Sequence, residues 1–256
     1  MRIYIGGFMN AGKILAAVIV TVSSISLSGC SMMQSSKVSA DSTVEGFKHV
    51  ALASVSDAVD QVVGQRGFMN YDMRPVVGKS FVGRARTAVF TPASKLPAGT
   101  PITLQSGTEM IDNALEGEVG IIVVEDGLNA AGIGGLMATA AKSRGLAGMV
   151  IDGGVRDVEE IKGLGLPVFG RSITPATAVN RFAAIERDIT VQCAGVTVNP
   201  GDIIVAGTDG VVCVPKDKAA EVLKKAQEID ATETKMVPYI KKYKSIQKAV
   251  DEFNRI

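Results

Sequence analysis

Apolar residues recur along this chain in two rhythms that change over near residue 190. In the first part, Val55 to Val63 and Thr108 to Leu115 repeat apolar positions at helical spacing, and Gly120-Ile121-Ile122-Val123-Val124 is a continuous apolar run of strand length ending at Glu125-Asp126-Gly127. Ala138 to Arg144 read as a helix, Gly145-Leu146-Ala147-Gly148 as a turn, and Met149-Val150-Ile151-Asp152 as a short buried strand closed by Gly153-Gly154. Val158 to Leu164 then predicts a short helix and Pro167-Val168-Phe169 the next strand. From Ile189 onward strands are separated by Asn199-Pro200-Gly201-Asp202 and Gly207-Thr208-Asp209-Gly210, which are turn sequences, so this part reads as antiparallel. Lys216 to Ile229 carries Ala219, Val222, Leu223, Ala226 and Ile229 on one helical face. After a break predicted at Pro238, a second stripe runs through Ile240, Tyr243, Ile246, Val250 and Phe253. Both stripes read as core or subunit contact, although Lys241, Lys242, Lys244 and Lys248 make the last helix basic.

The amino terminus departs from this pattern. Arg2 and Lys13 are the only charges ahead of an apolar run from Ile14 to Val22, and Leu27-Ser28-Gly29-Cys30 follows. A charged start, a short apolar middle and a small-residue end make a secretory signal, and the run is well below the roughly 20 apolar residues of a membrane-spanning helix. The Leu-Ser-Gly-Cys sequence resembles the bacterial lipoprotein cleavage box, which implies a signal peptide over residues 1–29 and a lipidated Cys30. Residues 30–49, serine-rich at their start, would be a polar linker. The expected location is the periplasmic side of a bacterial membrane, with Ser31 favouring the outer membrane of a Gram-negative host. Without residues 1–29 the formal charge moves from +1 to −1, which argues against a general nucleic-acid binder, and 227 residues remain, enough for one α/β domain. Few aromatics and no tryptophan, with abundant Val, Ile, Ala and Gly, fit buried strands packed closely against helices.

Candidate chemistry gathers around Gly134-Gly135-Leu136-Met137 and Arg156-Asp157. A glycine pair opening a helix leaves free N–H groups and the positive end of the helix dipole at one spot, which suits a carboxylate or phosphate. Arg156 can clamp the same anion through parallel N–H bonds, and Asp157 is a hard oxygen ligand for Mg2+ or Mn2+. Asp152 reads as a cap of the glycine turn, and Glu125 and Asp126 as weaker candidates for ordering water. His49 is the single histidine, which excludes histidine-rich zinc sites and Ser-His-Asp catalysis. Cys193 and Cys213 sit in apolar strand patterns and read as buried thiols, with a disulfide between them left open.

The spacing from Gly135 over twenty residues to Arg156-Asp157, then to Glu160, resembles the signature of the RraA-like family, which includes the 4-hydroxy-4-methyl-2-oxoglutarate aldolases. Val55 to Asp60 resembles its opening helix, Val82 to Ala88 its first core strand, Gly145 to Asp157 its central strand and active-site turn, and Cys193 to Asp202 and Asp209 to Pro215 its late hairpins. The resemblance covers about residues 50–230, leaving 231–256 as a C-terminal helical extension. It implies an α/β fold with β/β/α swivelling-domain architecture, a mixed central sheet and late antiparallel hairpins. It also implies a class II-type, divalent-metal-dependent carbon–carbon lyase acting on a small 2-oxo acid (pyruvate, oxaloacetate or a related diacid) through an enolate. Arg156, Asp157 and Glu160 would be catalytic, Gly134, Gly135, Leu136, Met137 and Arg156 would bind substrate, and Asp157 would hold the metal. Homotrimers or homohexamers with sites at subunit boundaries are implied as well. Gly135 departs from the acidic residue that aldolase members tend to carry there, so decarboxylation is expected to exceed aldol cleavage. Two other classes remain open: a non-catalytic inhibitor of a ribonuclease, and a lipid-anchored protein that captures 2-oxo acids without cleaving them.

Overall fold

The apolar run around Ile121 is continuous because the strand it forms is covered on both faces. The structure, a computed structural model, describes residues 41–255; the signal peptide and Cys30 lie outside the described residues. The described chain opens with two helices, α1 (Ser42–Phe47) and α2 (Leu52–Val63), followed by β1 (Arg74–Val77), β2 (Phe81–Pro92), α3 (Gln105–Asp112) and β3 (Val119–Val124). Next come β4 (Ala131–Ile133), α4 (Gly135–Ser143), β5 (Gly148–Val155), α5 (Val158–Leu164), β6 (Val168–Ile173) and β7 (Phe182–Arg187). Two hairpins, β8 (Val191–Cys193) with β9 (Val196–Val198) and β10 (Ile203–Gly207) with β11 (Gly210–Val214), precede α6 (Ala219–Tyr243) and α7 (Ile246–Phe253).

Among the described residues, nine strands form one mixed sheet in the order β1-β6-β5-β3-β2-β10-β11, with β4 beside β5 and β7 beside β2. The central strands β2, β3, β5 and β6 run parallel, whereas β1, β7, β10 and β11 are antiparallel to their neighbours. The sheet is nearly closed, since Phe68 bridges Val212 of β11 and Met69 N donates to Val211 O at 2.9 Å. Alternation along the central strands then divides the core. Ile121, Val123 and Val150 pack with Phe169, Val191, Cys193 and Ile204. Ile122, Val124 and Ile151 face the other way, onto residues of α3, α4 and α5. A third cluster seats α1, α2 and α6 on β2, β10 and β11.

The observed elements amend the sequence expectations in four places. Strand β5 continues through Gly153 and Gly154 rather than closing at them, and both glycines answer to close approach: a Cβ on Gly153 would meet Val124 at 2.9 Å, and one on Gly154 would meet Ala130 O at 2.8 Å. Helix α3 begins at Gln105 and ends at Asp112, leaving Leu115 exposed beyond it. Helix α6 runs through Pro238 to Tyr243, because losing one backbone donor in an exposed turn is outweighed where Tyr239 packs against Tyr243 and Phe253. In α7, Ala249 is the buried residue and Ile246 stays exposed, so the second stripe is not one continuous buried face. Cys193 and Cys213 are both buried and free, and burial first, with the nearby Asp152 and Asp202 carboxylates respectively, pushes both thiols well above their ordinary pKa. Among the described residues no helix is long and apolar enough to cross a membrane.

Candidate functional site

The glycine pair and the Arg-Asp pair meet at the carboxyl ends of parallel strands, the usual place for ligands in α/β sheets. Gly134 follows β4 as the N-cap of α4, and Arg156 follows β5, whose Arg156 N donates to Ile133 O at 3.2 Å. Asp157 adopts a left-handed backbone (φ 55°), an uncommon conformation for a residue with a side chain, and this turn starts α5 while aiming the carboxylate back at α4. Its Oδ2 accepts from Gly135 N at 2.9 Å and lies 3.6 Å from Arg156 Nε.

The anion pocket expected from sequence is therefore partly filled by the protein's own carboxylate. Gly135 N–H is committed to Asp157, whereas the N–H groups of Leu136 and Met137, in the same first turn, have no partner among the described residues. The Arg156 side chain is partly exposed and, among the described residues, makes no pairing besides the long one with Asp157, which leaves its terminal nitrogens to receive a ligand. Neither glycine needs a positive φ. Gly134 is extended, and a Cβ on it would meet Asp157 Oδ2 at 2.7 Å and Arg156 Nε at 2.8 Å. A Cβ on Gly135 would overlap the Glu160 carboxylate. Glycine stands at both positions because the Arg156, Asp157 and Glu160 side chains crowd against the backbone there.

Asp157-Val158-Glu159-Glu160 has the spacing of a helix capping box, yet neither half of that box forms: Asp157 makes no side-chain cap bond, and Glu160 accepts none from Asp157 N. An N-cap bond is worth about 0.5–2 kcal/mol, so turning Asp157 away gives up local helix stability for a contact at α4. Among the described residues no three His, Cys, Asp or Glu side chains gather into a metal cage. A single carboxylate with Oδ1 uncommitted nevertheless fits a hydrated Mg2+-type ion, which keeps most of its waters and takes one or two carboxylates.

The remaining candidates lie elsewhere. Asp152 does not cap the glycine turn; it is nearly buried and accepts from Arg171 Nη1 at 2.9 Å and from Ala194 N at 2.5 Å. Arg171 also donates to Asp72 through Nε at 2.9 Å and Nη2 at 2.7 Å. The Arg171 hydrogen bond holds Asp72 below the usual carboxylate range, and the bond to Asp72 raises Arg171. This group escaped sequence reasoning because its members are far apart in the chain; an arginine inside the apolar strand β6 was the available signal. Glu125 and Asp126 line a cavity of about 720 Å3 at the mouth of the curled sheet, floored by Asp152 and Arg171, and Asp126 pairs with Lys95 at 2.7 Å. That cavity includes none of Gly134 to Met137, Arg156, Asp157 or Glu160, and the arginine that lines it already holds Asp72 and Asp152. The residues expected from sequence to carry the chemistry sit on the open α4–α5 shoulder instead. His49 is a surface residue beside Glu45.

Comparison with known proteins agrees with this architecture. A 4-hydroxy-4-methyl-2-oxoglutarate aldolase of Thermus thermophilus is 33% identical over 151 residues, covering 56% of the chain and 84% of the aldolase. An uncharacterised protein of Methanocaldococcus jannaschii is 44% identical over 103 residues, 40% of the chain, and the chain spans about half (49%) of that relative's length. The crystal structure of Streptomyces coelicolor RraAS2, described as an unusual member of the RNase ES inhibitor RraA family, superposes with a TM-score of 0.68 at 26% identity, covering 76% of the chain and 94% of RraAS2. The profile of the RraA-like family (Aldolase/RraA) matches residues 52–213, and the chain belongs to that family.

Proposed function

We propose that the chain is a divalent-metal-dependent lyase that breaks the C3–C4 bond of a 2-oxo acid, one carbon removed from the oxo group, releasing pyruvate. The observation that carries this reading is the convergence of Arg156, Asp157 and the unpartnered Leu136 and Met137 amides on one shoulder at the start of α4. The two amides and the Arg156 fork would bind the substrate carboxylate and hold the oxo group beside Asp157. As the bond breaks, negative charge develops on the oxo oxygen, and Arg156 stabilises a charge absent from the ground state, which is the requirement for lowering a barrier. A bound Mg2+ or Mn2+, held by Asp157, would supply Lewis-acid polarisation of that same oxygen. Asp157 keeps its orientation through the Gly135 N–H bond, so the ligand is positioned before any ion arrives.

The test is pyruvate release from oxaloacetate and from 4-hydroxy-4-methyl-2-oxoglutarate with Mg2+ or Mn2+ present, alongside calorimetric titration with oxalate. Turnover of either substrate is the expected result. Oxalate binding without turnover would replace this reading by a 2-oxo-acid binding protein. Failure of both would leave the ribonuclease-inhibitor class, which the RraAS2 likeness keeps open.

Two features support a site completed by another copy of the chain. Leu136, in the first turn of α4, is 86% exposed, and Ile173, paired with Val155 at the end of β5, is 67% exposed, so apolar side chains flank the shoulder. A homotrimer or homohexamer would cover them. For location, Leu27 to Cys30 supports export and lipid attachment at Cys30. Cys30→Ser is expected to abolish acylation and membrane retention in detergent phase partitioning; a variant retained in the membrane as before would remove this part of the proposal.

A further inference from the structure

We infer that Glu160 is the proton-handling carboxylate of this site, filling the space that a side chain at position 135 would otherwise occupy; the inference rests on the lyase reading above and deepens it. The geometry is specific. A Cβ built on Gly135 would lie no more than 2.5 Å from either Glu160 carboxylate oxygen, so residue 135 can carry a side chain only if Glu160 moves away. Glu160 has no hydrogen bond or ion pair among the described residues, whereas Asp157 Oδ2 is committed to Gly135 N–H and faces Arg156. Its placement is not explained by helix capping. Glu160 sits at the capping-box position relative to Asp157, but the reciprocal bonds are unmade and both carboxylates turn toward the glycines of α4. An ordinary first-turn glutamate favours its own helix N-terminus; this one covers its neighbour's.

The role follows from what the two candidate reactions require. In 4-hydroxy-4-methyl-2-oxoglutarate, Glu160 takes the proton of the C4 hydroxyl. The O–H electron pair becomes the new C4 carbonyl bond, and the C3–C4 bond breaks to release one pyruvate. Its electrons form the C2–C3 double bond of a pyruvate enolate, with the negative charge on the C2 oxygen. Glu160 then returns the proton to C3, giving a second pyruvate and regenerating its carboxylate. Oxaloacetate decarboxylation forms the same enolate by loss of CO2, has no hydroxyl proton to remove, and takes its C3 proton from water. Only the aldol cleavage therefore depends on Glu160 for its bond-breaking step. On this account Gly135 does not remove proton transfer from the site; it makes room for the residue that performs it.

The test is the ratio of hydroxy-acid cleavage to oxaloacetate decarboxylation, measured with the full chain and the same metal. Glu160→Gln, close in shape, is expected to lower that ratio by about 10²–10⁴-fold, the usual contribution of a positioned base. Oxalate affinity, read by calorimetry, should stay within a few-fold and shows that the shoulder is intact. Combining Gly135→Asp with Glu160→Ala should recover part of the ratio, by returning a carboxylate to the vacated space, while Gly135→Asp alone should not raise it. Equal loss of both activities in Glu160→Gln, an unchanged ratio, or a parent that decarboxylates but never cleaves the hydroxy acid would each overturn the assignment while leaving the lyase reading standing. A parent inactive on both substrates would remove the lyase reading itself, and the assignment with it.

Discussion

Two arginine–carboxylate groups lie close together on adjacent strands and have opposite characters. Arg171, in β6, donates three hydrogen bonds to Asp72 and Asp152, and Asp152 accepts a further one from Ala194 N. Arg156 follows Val155, the β5 partner of Ile173, yet its one ion pair is long at 3.6 Å and its carboxylate partner is shared with a helix amide. The first group holds its arginine with three bonds and lines the mouth of the sheet, with Asp72 Oδ1 buried and without a partner among the described residues. The second leaves donors and acceptors unmet on an open shoulder beside two glycines. Charge alone does not distinguish the two groups; the donors and acceptors each leaves open to solvent do. The large cavity over Arg171 is accordingly a weaker candidate than the shallow surface at Arg156, because a ligand entering it meets an arginine already held by Asp72 and Asp152.

The sharpest way to break this comparison is to remove each arginine and ask which property fails. Arg171→Met leaves Asp72 and Asp152 without their cation in a largely buried setting, which is expected to cost about 3 kcal/mol or more of unfolding free energy in a denaturant titration. A stability loss near zero would mean that this network is not structural. Arg156→Lys keeps a charge but loses the planar fork, so oxalate affinity should fall by about 1–3 kcal/mol with little change in the unfolding midpoint. Asp157→Asn should instead weaken Mg2+ binding, read by titration in the absence of substrate. If both shoulder variants bound metal and oxalate as the parent does, the site would be misassigned.

A gentler contrast comes from acid. Asp72 titrates below the ordinary carboxylate range because Arg171 hydrogen-bonds its ionised form, with burial acting in the opposite direction. Its stabilising contribution is thus fully present above the unfolded-state carboxylate pKa of about 3.9, and is lost as pH falls through the depressed folded value. Unfolding free energy in the parent should drop across that acidic window more steeply than in Asp72→Asn, which has no carboxylate to protonate there. Parallel curves for the two proteins would contradict the assignment.

Much of the scaffold is legible in the sequence because burial imposes a period. The apolar stripe of α2, the unbroken run of β3 and the turns around β10 and β11 each carry their own signal. Strand β1 does not: Arg74-Pro75-Val76-Val77 is short, lies at the sheet edge and contains a proline, which reads as a loop. The glycines mislead in a particular way. Gly153 and Gly154 look like punctuation, but they continue β5 where Val124, Thr174 and Ala130 approach, and that approach comes from distant parts of the chain. At the site, the Gly135 to Arg156-Asp157 spacing announces a constellation but not its internal arrangement. That Glu160 lies over Gly135, twenty-five positions earlier, depends on how α4 and α5 pack, and no local pattern encodes it. The same holds for Asp72, Asp152 and Arg171.

The smallest expected effect on folding tests why the shoulder is open. Leu136 and Ile173 present apolar side chains to solvent beside Arg156, whereas the cavity over Arg171 mixes the exposed Leu128 and Ile185 with Glu125, Asp126 and Lys95. If another copy of the chain covers the shoulder, Leu136→Ser should leave unfolding free energy of the isolated subunit within about 0.5 kcal/mol, the range for surface substitutions, because the side chain touches little within its own subunit. Association should respond more strongly, since an apolar residue desolvated at an interface is replaced by one that prefers water. Sedimentation velocity over a dilution series would then show dissociation at higher protein concentration in the variant. Turnover should fall in step with dissociation if the neighbouring copy completes the site. An oligomer unaffected by Leu136→Ser and by Ile173→Ser would mean that this surface is free in solution, and that the loose arrangement around Arg156 is complete within one subunit.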